Sequence, residues 1–182
     1  MNRVLNRVLN RVLERWNALP PDEAAAEILS CCGSRAWAAN LAARRPLANE
    51  QALFTAAADC WQNLPEADWL EAFRSHPRIG EQHAQKKTTA ISAAWSRSEQ
   101  SLMSEADDAI LLRMGEGHRQ YEERFGRIFI VCASGKQPAE MLSILERRLA
   151  NDPAQELLEA AAQQQQIMQL RLRKWLAPTE AA

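Results

Sequence analysis

The apolar positions of this chain gather into alanine-rich stretches broken by prolines, the pattern of medium-length helices joined by short connections. The amino end repeats Asn-Arg-Val-Leu over residues 2–5, 6–9 and 10–13, and a period of four keeps Val4, Leu5, Leu9, Val12 and Leu13 in a drifting stripe. That is an amphipathic helix. It runs through Glu14 and Trp16-Asn17 into Pro20-Pro21, which favours docking on a core over lying on a membrane surface. Further helices are predicted over Asp22 to Cys31, Ser34 to Ala43, Glu50 to Asn63 and Glu66 to Ser75, and then over Glu105 to Arg124, Pro138 to Leu149 and Pro153 to Leu176. The expected fold is all-α, a single compact multi-helix domain over 1–182.

Two stretches break the pattern. Glu81 to Ile91 is charged and threonine-bearing without a clear period, and reads as a loop, either a lid over a site or a plain connector. Phe129 to Cys132 has β propensity, but one short apolar run has no partner strand in the sequence; it reads as buried irregular or helical chain framed by Gly126 and Gly135.

At 182 residues and 47% hydrophobic, the chain can bury one good core and is short for two ordinary domains. A formal net charge of -1 gives no electrostatic reason for nucleic acid or an anionic membrane as partner. Cys31, Cys32, Cys60 and Cys132 lack C-x-x-C spacing and neighbouring histidines, so buried reduced thiols are expected rather than a zinc site or redox pair. Neither a long apolar run nor a small-residue cleavage site is present, and the last residues are not S-K-L; the expected location is cytoplasmic.

Candidate chemistry is concentrated in His76-Pro77-Arg78-Ile79-Gly80 and Trp95-Ser96-Arg97-Ser98-Glu99-Gln100, in a protein with three histidines. Pro77 steers His76 out of the α region, so the preceding helix should stop there and present the imidazole, which exchanges protons near neutral pH. An ordinary helix stop accounts for the same residues. Likewise Ser96 and Glu99 have capping-box spacing, which is commonly structural, so spacing leaves both readings open.

The order of H-P-R-I-G at His76 to Gly80, S-x-x-E-Q at Ser96 to Gln100, Tyr121 to Gly126, Phe129 to Lys136, Arg148-Leu149-Ala150-Asn151 and Arg171-Leu172 resembles the 2-oxo-4-hydroxy-4-carboxy-5-ureidoimidazoline (OHCU) decarboxylases. The resemblance spans roughly Pro46 to Trp175. It implies His76 as acid/base, with Glu99 orienting it and favouring its protonated form. It further implies substrate contacts from Pro77, Ser96, Gln100, the backbone of Phe129, Ile130, Val131 and Cys132, and Arg171, with Arg148 the other candidate because R-L recurs there. OHCU carries its carboxylate beside a ring C=N that accepts the electrons released with CO2, so no cofactor is expected. The implied product is (S)-allantoin and the implied assembly a homodimer. Two departures are Ser101-Leu102-Met103, where small residues are common in the family, and His118, where asparagine is common.

Two other classes compete. A non-enzymatic ligand-binding or adaptor protein on the same scaffold would have no turnover to lose. Metal-assisted hydrolysis through His76, His83 and His118 is weaker, since these lack i, i+4 or H-x-H ligand spacing.

Overall fold

The computed structural model describes residues 11–79, 90–99, 101 and 106–177. Helix α1 occupies residues 11–18. It is followed by α2 (Pro21–Cys32), α3 (Arg35–Ala42), α4 (Glu50–Gln62), α5 (Glu66–Phe73), α6 (Ala90–Glu99), α7 (Asp108–Phe125), α8 (Pro138–Arg148) and α9 (Pro153–Leu176). No strand occurs among the described residues, as the all-α reading expects.

Local chemistry explains the ends of these helices. Pro21, Pro138 and Pro153 open α2, α8 and α9, where a missing N–H costs nothing and φ is already helical. Ser34, Asn49 and Asp107 accept hydrogen bonds from the amides of Trp37, Ala52 and Ile110 at the starts of α3, α4 and α7. Gly33 (φ 87°) and Gly126 (φ 65°) close α2 and α7 in the left-handed conformation, which a Cβ would strain.

The chain divides into two compact units, one of Met1–Trp69 with Ile167–Ala182 and one of Leu70–Gln166, the divisions falling inside α5 and α9. The first unit is organised around tryptophans. Trp16 and Trp37 are fully buried and donate from Nε1 to the carbonyls of Ala24 (2.9 Å) and Ala57 (3.0 Å). Trp175 meets Trp16 edge-on with ring centres 5.7 Å apart and donates to Glu27 at 3.0 Å. Arg45 stacks over Trp16 and donates from Nη1 to the carbonyls of Trp16 (2.6 Å) and Leu19 (2.8 Å), fixing the end of α1. The burial of Leu13 and Trp16 bears out core docking for 11–18; the earlier repeats at 2–5 and 6–9 lie outside the described residues.

The second unit has a core of Ile79, Met114, Tyr121, Phe125, Phe129, Val131, Ala133, Met141, Leu142 and Leu145. Here α7 packs on α8, brought close by Gly117, whose missing Cβ would stand 2.7 Å from Leu145 Cδ2. Phe129 to Cys132 is irregular buried chain, one of the two forms expected for it.

Helix limits differ in detail from expectation. α5 ends at Phe73, two residues before Ser75, and tightens into a turn in which Ser75 N–H donates to Ala72 O (3.0 Å) and His76 N–H to Phe73 O (3.1 Å). α7 begins at Asp108, not Glu105, because Asp107 caps it. Ala90 and Ile91, expected in a loop, are the first residues of α6; the rest of that stretch lies outside the described residues. The four cysteines are free thiols and buried, as expected.

Candidate active site

His76 sits where α5 gives out. The tightened turn after Phe73 delivers it, Pro77 prevents the helix from continuing, and the imidazole is buried. The next two residues hold the turn in place. Arg78 makes a two-pronged ion pair with Glu122 of α7, Nε to Oε1 at 2.5 Å and Nη2 to Oε2 at 2.8 Å, and Ile79 enters the core beside Phe129 and Val131. This bond to Arg78 holds the Glu122 carboxyl below its ordinary pKa, as does the nearby charge of His118. Pro77 is half-buried at the same turn.

Ser96 and Glu99 lie on α6. Ser92, Ser96 and Glu99 recur at i, i+4 and i+7, so they share one face; both serines are buried and Glu99 is half-buried. The capping-box reading of Ser96 and Glu99 is therefore corrected. Ser96 lies inside a helix that ends at Glu99, rather than at the cap of one that begins there. The same three-residue spacing serves both arrangements, and here it places both side chains on the buried side of α6. Gln100 lies outside the described residues.

Phe129, Ile130, Val131 and Cys132 are buried, and Phe129 and Val131 belong to the core that Ile79 joins. Two side chains grip their backbone. Arg148 Nη1 donates to Ile130 O at 2.7 Å, and Cys132 N–H donates to Gln163 Oε1 at 2.9 Å. The Cys132 amide, one of the expected ligand donors, is thus engaged within the protein.

Arg148 is itself fully buried against Glu156, with Nε to Oε1 at 3.0 Å and Nη2 to Oε1 at 2.5 Å, and its guanidinium lies 4.6 Å from the centre of the Phe129 ring. Asn151 Nδ2 and the Tyr121 hydroxyl also donate to Glu156. Burial and this bond push the Tyr121 phenol up. All three Arg148 nitrogens donate to protein acceptors within the Leu70–Gln166 unit. Arg171, the first candidate, is fully buried on α9 in the Met1–Trp69, Ile167–Ala182 unit, where burial pushes the Cys31 thiol up and the Arg171 charge opposes it only in part.

Sequence reasoning missed Glu156, Gln163 and the Arg78–Glu122 pair. The R-L-x-N segment did carry a signal, since Arg148 and Asn151 converge on Glu156. His118, noted as a departure, is buried with its ring centre 6.1 Å from that of Phe129. It lines a cavity of about 430 Å³ with Ile79, Arg78 and Glu122, and a second cavity of about 330 Å³ is lined by Arg74, Arg78, Glu122 and Arg127. His76 and Glu99 line neither. Among the described residues, no three His, Cys, Asp or Glu side chains converge as metal ligands.

The chain can now be set beside known proteins. The family described as OHCU decarboxylase matches residues 17–173. The chain belongs to the OHCU decarboxylase family. The crystal structure of OHCU decarboxylase in the presence of (S)-allantoin superposes with a TM-score of 0.69 at 37% identity, covering 80% of this chain and 94% of that one. The uric acid degradation bifunctional protein TTL of Arabidopsis thaliana is 40% identical over 149 residues, 79% of this chain and 44% of that protein. The 2-oxo-4-hydroxy-4-carboxy-5-ureidoimidazoline decarboxylase of Amia calva is 33% identical over 129 residues, 70% of this chain and 73% of that protein. The chain thus spans less than half of the Arabidopsis relative and about three quarters of the fish OHCU decarboxylase. The family match includes both the His76 turn and α6.

Proposed function

We propose that this chain decarboxylates OHCU to (S)-allantoin in urate degradation, with His76 and Glu99 as its acid/base pair. The observation that carries the reading is the family match over residues 17–173, which encloses these two residues together with Arg171 and the Phe129 to Cys132 segment. The C–C bond to the carboxylate breaks, CO2 leaves, and the electron pair enters the adjacent ring C=N. This built-in sink makes a cofactor unnecessary. His76 removes the hydroxyl proton or delivers one to the neighbouring carbon, and delivery from one face produces a single enantiomer. Glu99 orients the imidazole, Pro77 shapes the wall, and Ser96, Gln100, Arg171 and backbone amides of Phe129 to Cys132 hold the substrate. The competing adaptor reading lacks an observation of its own.

The whole chain acts as one domain in this reading, since the family match crosses both compact units. It works as a cytoplasmic homodimer with no membrane or nucleic-acid partner. A formal net charge of -1 gives no electrostatic reason for nucleic acid or an anionic membrane as partner, and among the described residues no helix is long and apolar enough to cross a membrane.

Circular dichroism of freshly generated OHCU tests the function. Wild type is expected to form one allantoin enantiomer rapidly, and folded His76→Ala or Glu99→Gln to lose roughly 10²- to 10⁴-fold in rate. A wild-type rate equal to the protein-free control would sink the decarboxylase in favour of a binding protein.

A further inference from the structure

Several guanidiniums of this chain rest on carboxylates: Arg44 on Asp59, Arg113 on Glu146, Arg147 on Glu159 and Arg148 on Glu156. Arg127 departs from that habit. It follows Gly126, whose left-handed turn ends α7, and it is half-buried. Its Nη1 donates to Phe125 O at a long 3.3 Å, and its guanidinium lies 5.5 Å from the centre of the Phe125 ring. Nε and Nη2 are closed off from solvent and, among the described residues, find no acceptor.

These two nitrogens form one edge of the guanidinium, the edge that takes two oxygens of a carboxylate or phosphate side by side. Arg78 shows that geometry nearby, with the same two nitrogens on the two oxygens of Glu122. The Phe125 ring meets the Arg127 charge through its face but is a poor acceptor for N–H groups. Basic residues at the ends of α5 and α7 complement the helix dipoles, which accounts for their charge but not for two buried donors without acceptors. Such donors are costly, so the edge fits a partner from outside the chain.

Space for that partner adjoins it. Arg127 lines the cavity of about 330 Å³ together with Arg74, Arg78, Glu122 and the apolar Phe73 and Ile128, all within the Leu70–Gln166 unit. Arg78 and Glu122 neutralise each other there. Arg74 is exposed and has no ion pair among the described residues, which leaves Arg74 and Arg127 as two uncompensated positive charges at one cavity. A phosphate monoester carries about 1.5 to 2 negative charges at neutral pH and matches that pair, where a carboxylate brings one.

We propose that this cavity is a binding site for a phosphate monoester, held side-on by Arg127 and from the open side by Arg74, with its organic group against Phe73 and Ile128. The site is separate from the decarboxylase reading, since neither His76 nor Glu99 lines the cavity.

Phenyl phosphate is the probe. Isothermal titration into the full-length protein at neutral pH should show one site, with inorganic phosphate and benzoate each roughly tenfold weaker, the first for want of the ring and the second for want of charge. In 15N-labelled protein the amide signals of Gly126, Arg127 and Ile128 should shift with phenyl phosphate, and excess (S)-allantoin should leave the titration unchanged. Arg127→Met keeps the stem and removes the edge, so it should weaken phenyl phosphate roughly tenfold to a hundredfold. Arg74→Gln removes only an exposed charge and should weaken it about threefold. Because two of the Arg127 donors bond to nothing in the free protein, the ligand-free unfolding midpoint of Arg127→Met should stay at or above that of wild type.

A titration without phenyl phosphate binding would overturn the proposal, as would full affinity in Arg127→Met. So would benzoate binding as tightly as phenyl phosphate, displacement by allantoin, or amide shifts confined to other parts of the chain. A clear fall in the unfolding midpoint of ligand-free Arg127→Met would also overturn it, by making the guanidinium a group that holds the fold.

Discussion

At the residue scale, the buried Arg148–Glu156 pair matters most. Its charges are fully removed from solvent and compensated by each other, by Asn151, by Tyr121 and by Ile130 O. Removing one partner leaves the other charged and buried, which typically costs about 3–5 kcal/mol. Arg148→Met is therefore expected to lose stability of that order in urea unfolding at neutral pH. Adding Glu156→Leu should recover only part of it. The double variant removes the stranded carboxylate, but Tyr121, Asn151 and Ile130 O still lack their acceptors or donor. Recovery to the full wild-type value would mean that those three groups find water or new partners. The motif R-L-x-N was visible in the sequence, but its meaning was not. Glu156 is eight residues from Arg148, across the break between α8 and α9, and no helical spacing links them. Read alone, it is one more acidic residue in the first turn of a helix, where the dipole favours it anyway.

Helices were legible where proline and capping residues mark their ends, and less so where the decisive contact is tertiary. Pro138 and Pro153 gave α8 and α9 correct starts, whereas α6 was hidden because its first residues follow a stretch without period and Ser96–Glu99 mimics a cap. The close approach of α7 and α8 was illegible for a similar reason. Gly115 and Gly117 look alike in sequence, but only Gly117 faces Leu145, while a Cβ on Gly115 meets nothing within 4 Å. Their alanine variants should therefore move in opposite directions. Gly115→Ala relieves a helix-interior glycine and should stabilise by up to about 1 kcal/mol. Gly117→Ala earns the same propensity but pushes into a fully buried Leu145, for which overpacking costs roughly 1–3 kcal/mol. Thermal unfolding of both variants reads the difference directly; equal shifts would mean that Leu145 can move aside.

On the scale of the whole molecule, the all-α class and the order of the site segments could be read from the chain. The division into two units could not, because it falls inside α5 and α9, where nothing in the helical pattern changes. The response to acid is also set at this scale, and it is concentrated in the Leu70–Gln166 unit. There Arg78 lowers the pKa of Glu122 through its bidentate bond, and Arg147 lowers that of Glu159 in the same way, aided by the charge of Arg148 and by Asn151. A carboxylate whose folded pKa is depressed releases its proton more readily in the native state than in the unfolded one. Its stabilisation is fully present above the unfolded value of about 4.3 and disappears as pH falls through the lower folded value. Both pairs are partly exposed, so screening limits each to about 1 kcal/mol or less. The expected result is a wild-type unfolding midpoint that is flat near neutrality and falls once pH drops below the ordinary glutamate range. Glu122→Gln and Glu159→Gln should each start lower at neutral pH and approach wild type in acid, because neither has that proton to take up. The two effects should add, since the pairs share no partner. Parallel wild-type and variant curves down to the acid limit would show that these carboxylates titrate alike in the folded and unfolded chains. That would leave the His76 turn held by Ile79 and Pro77 rather than by the Arg78–Glu122 charge pair.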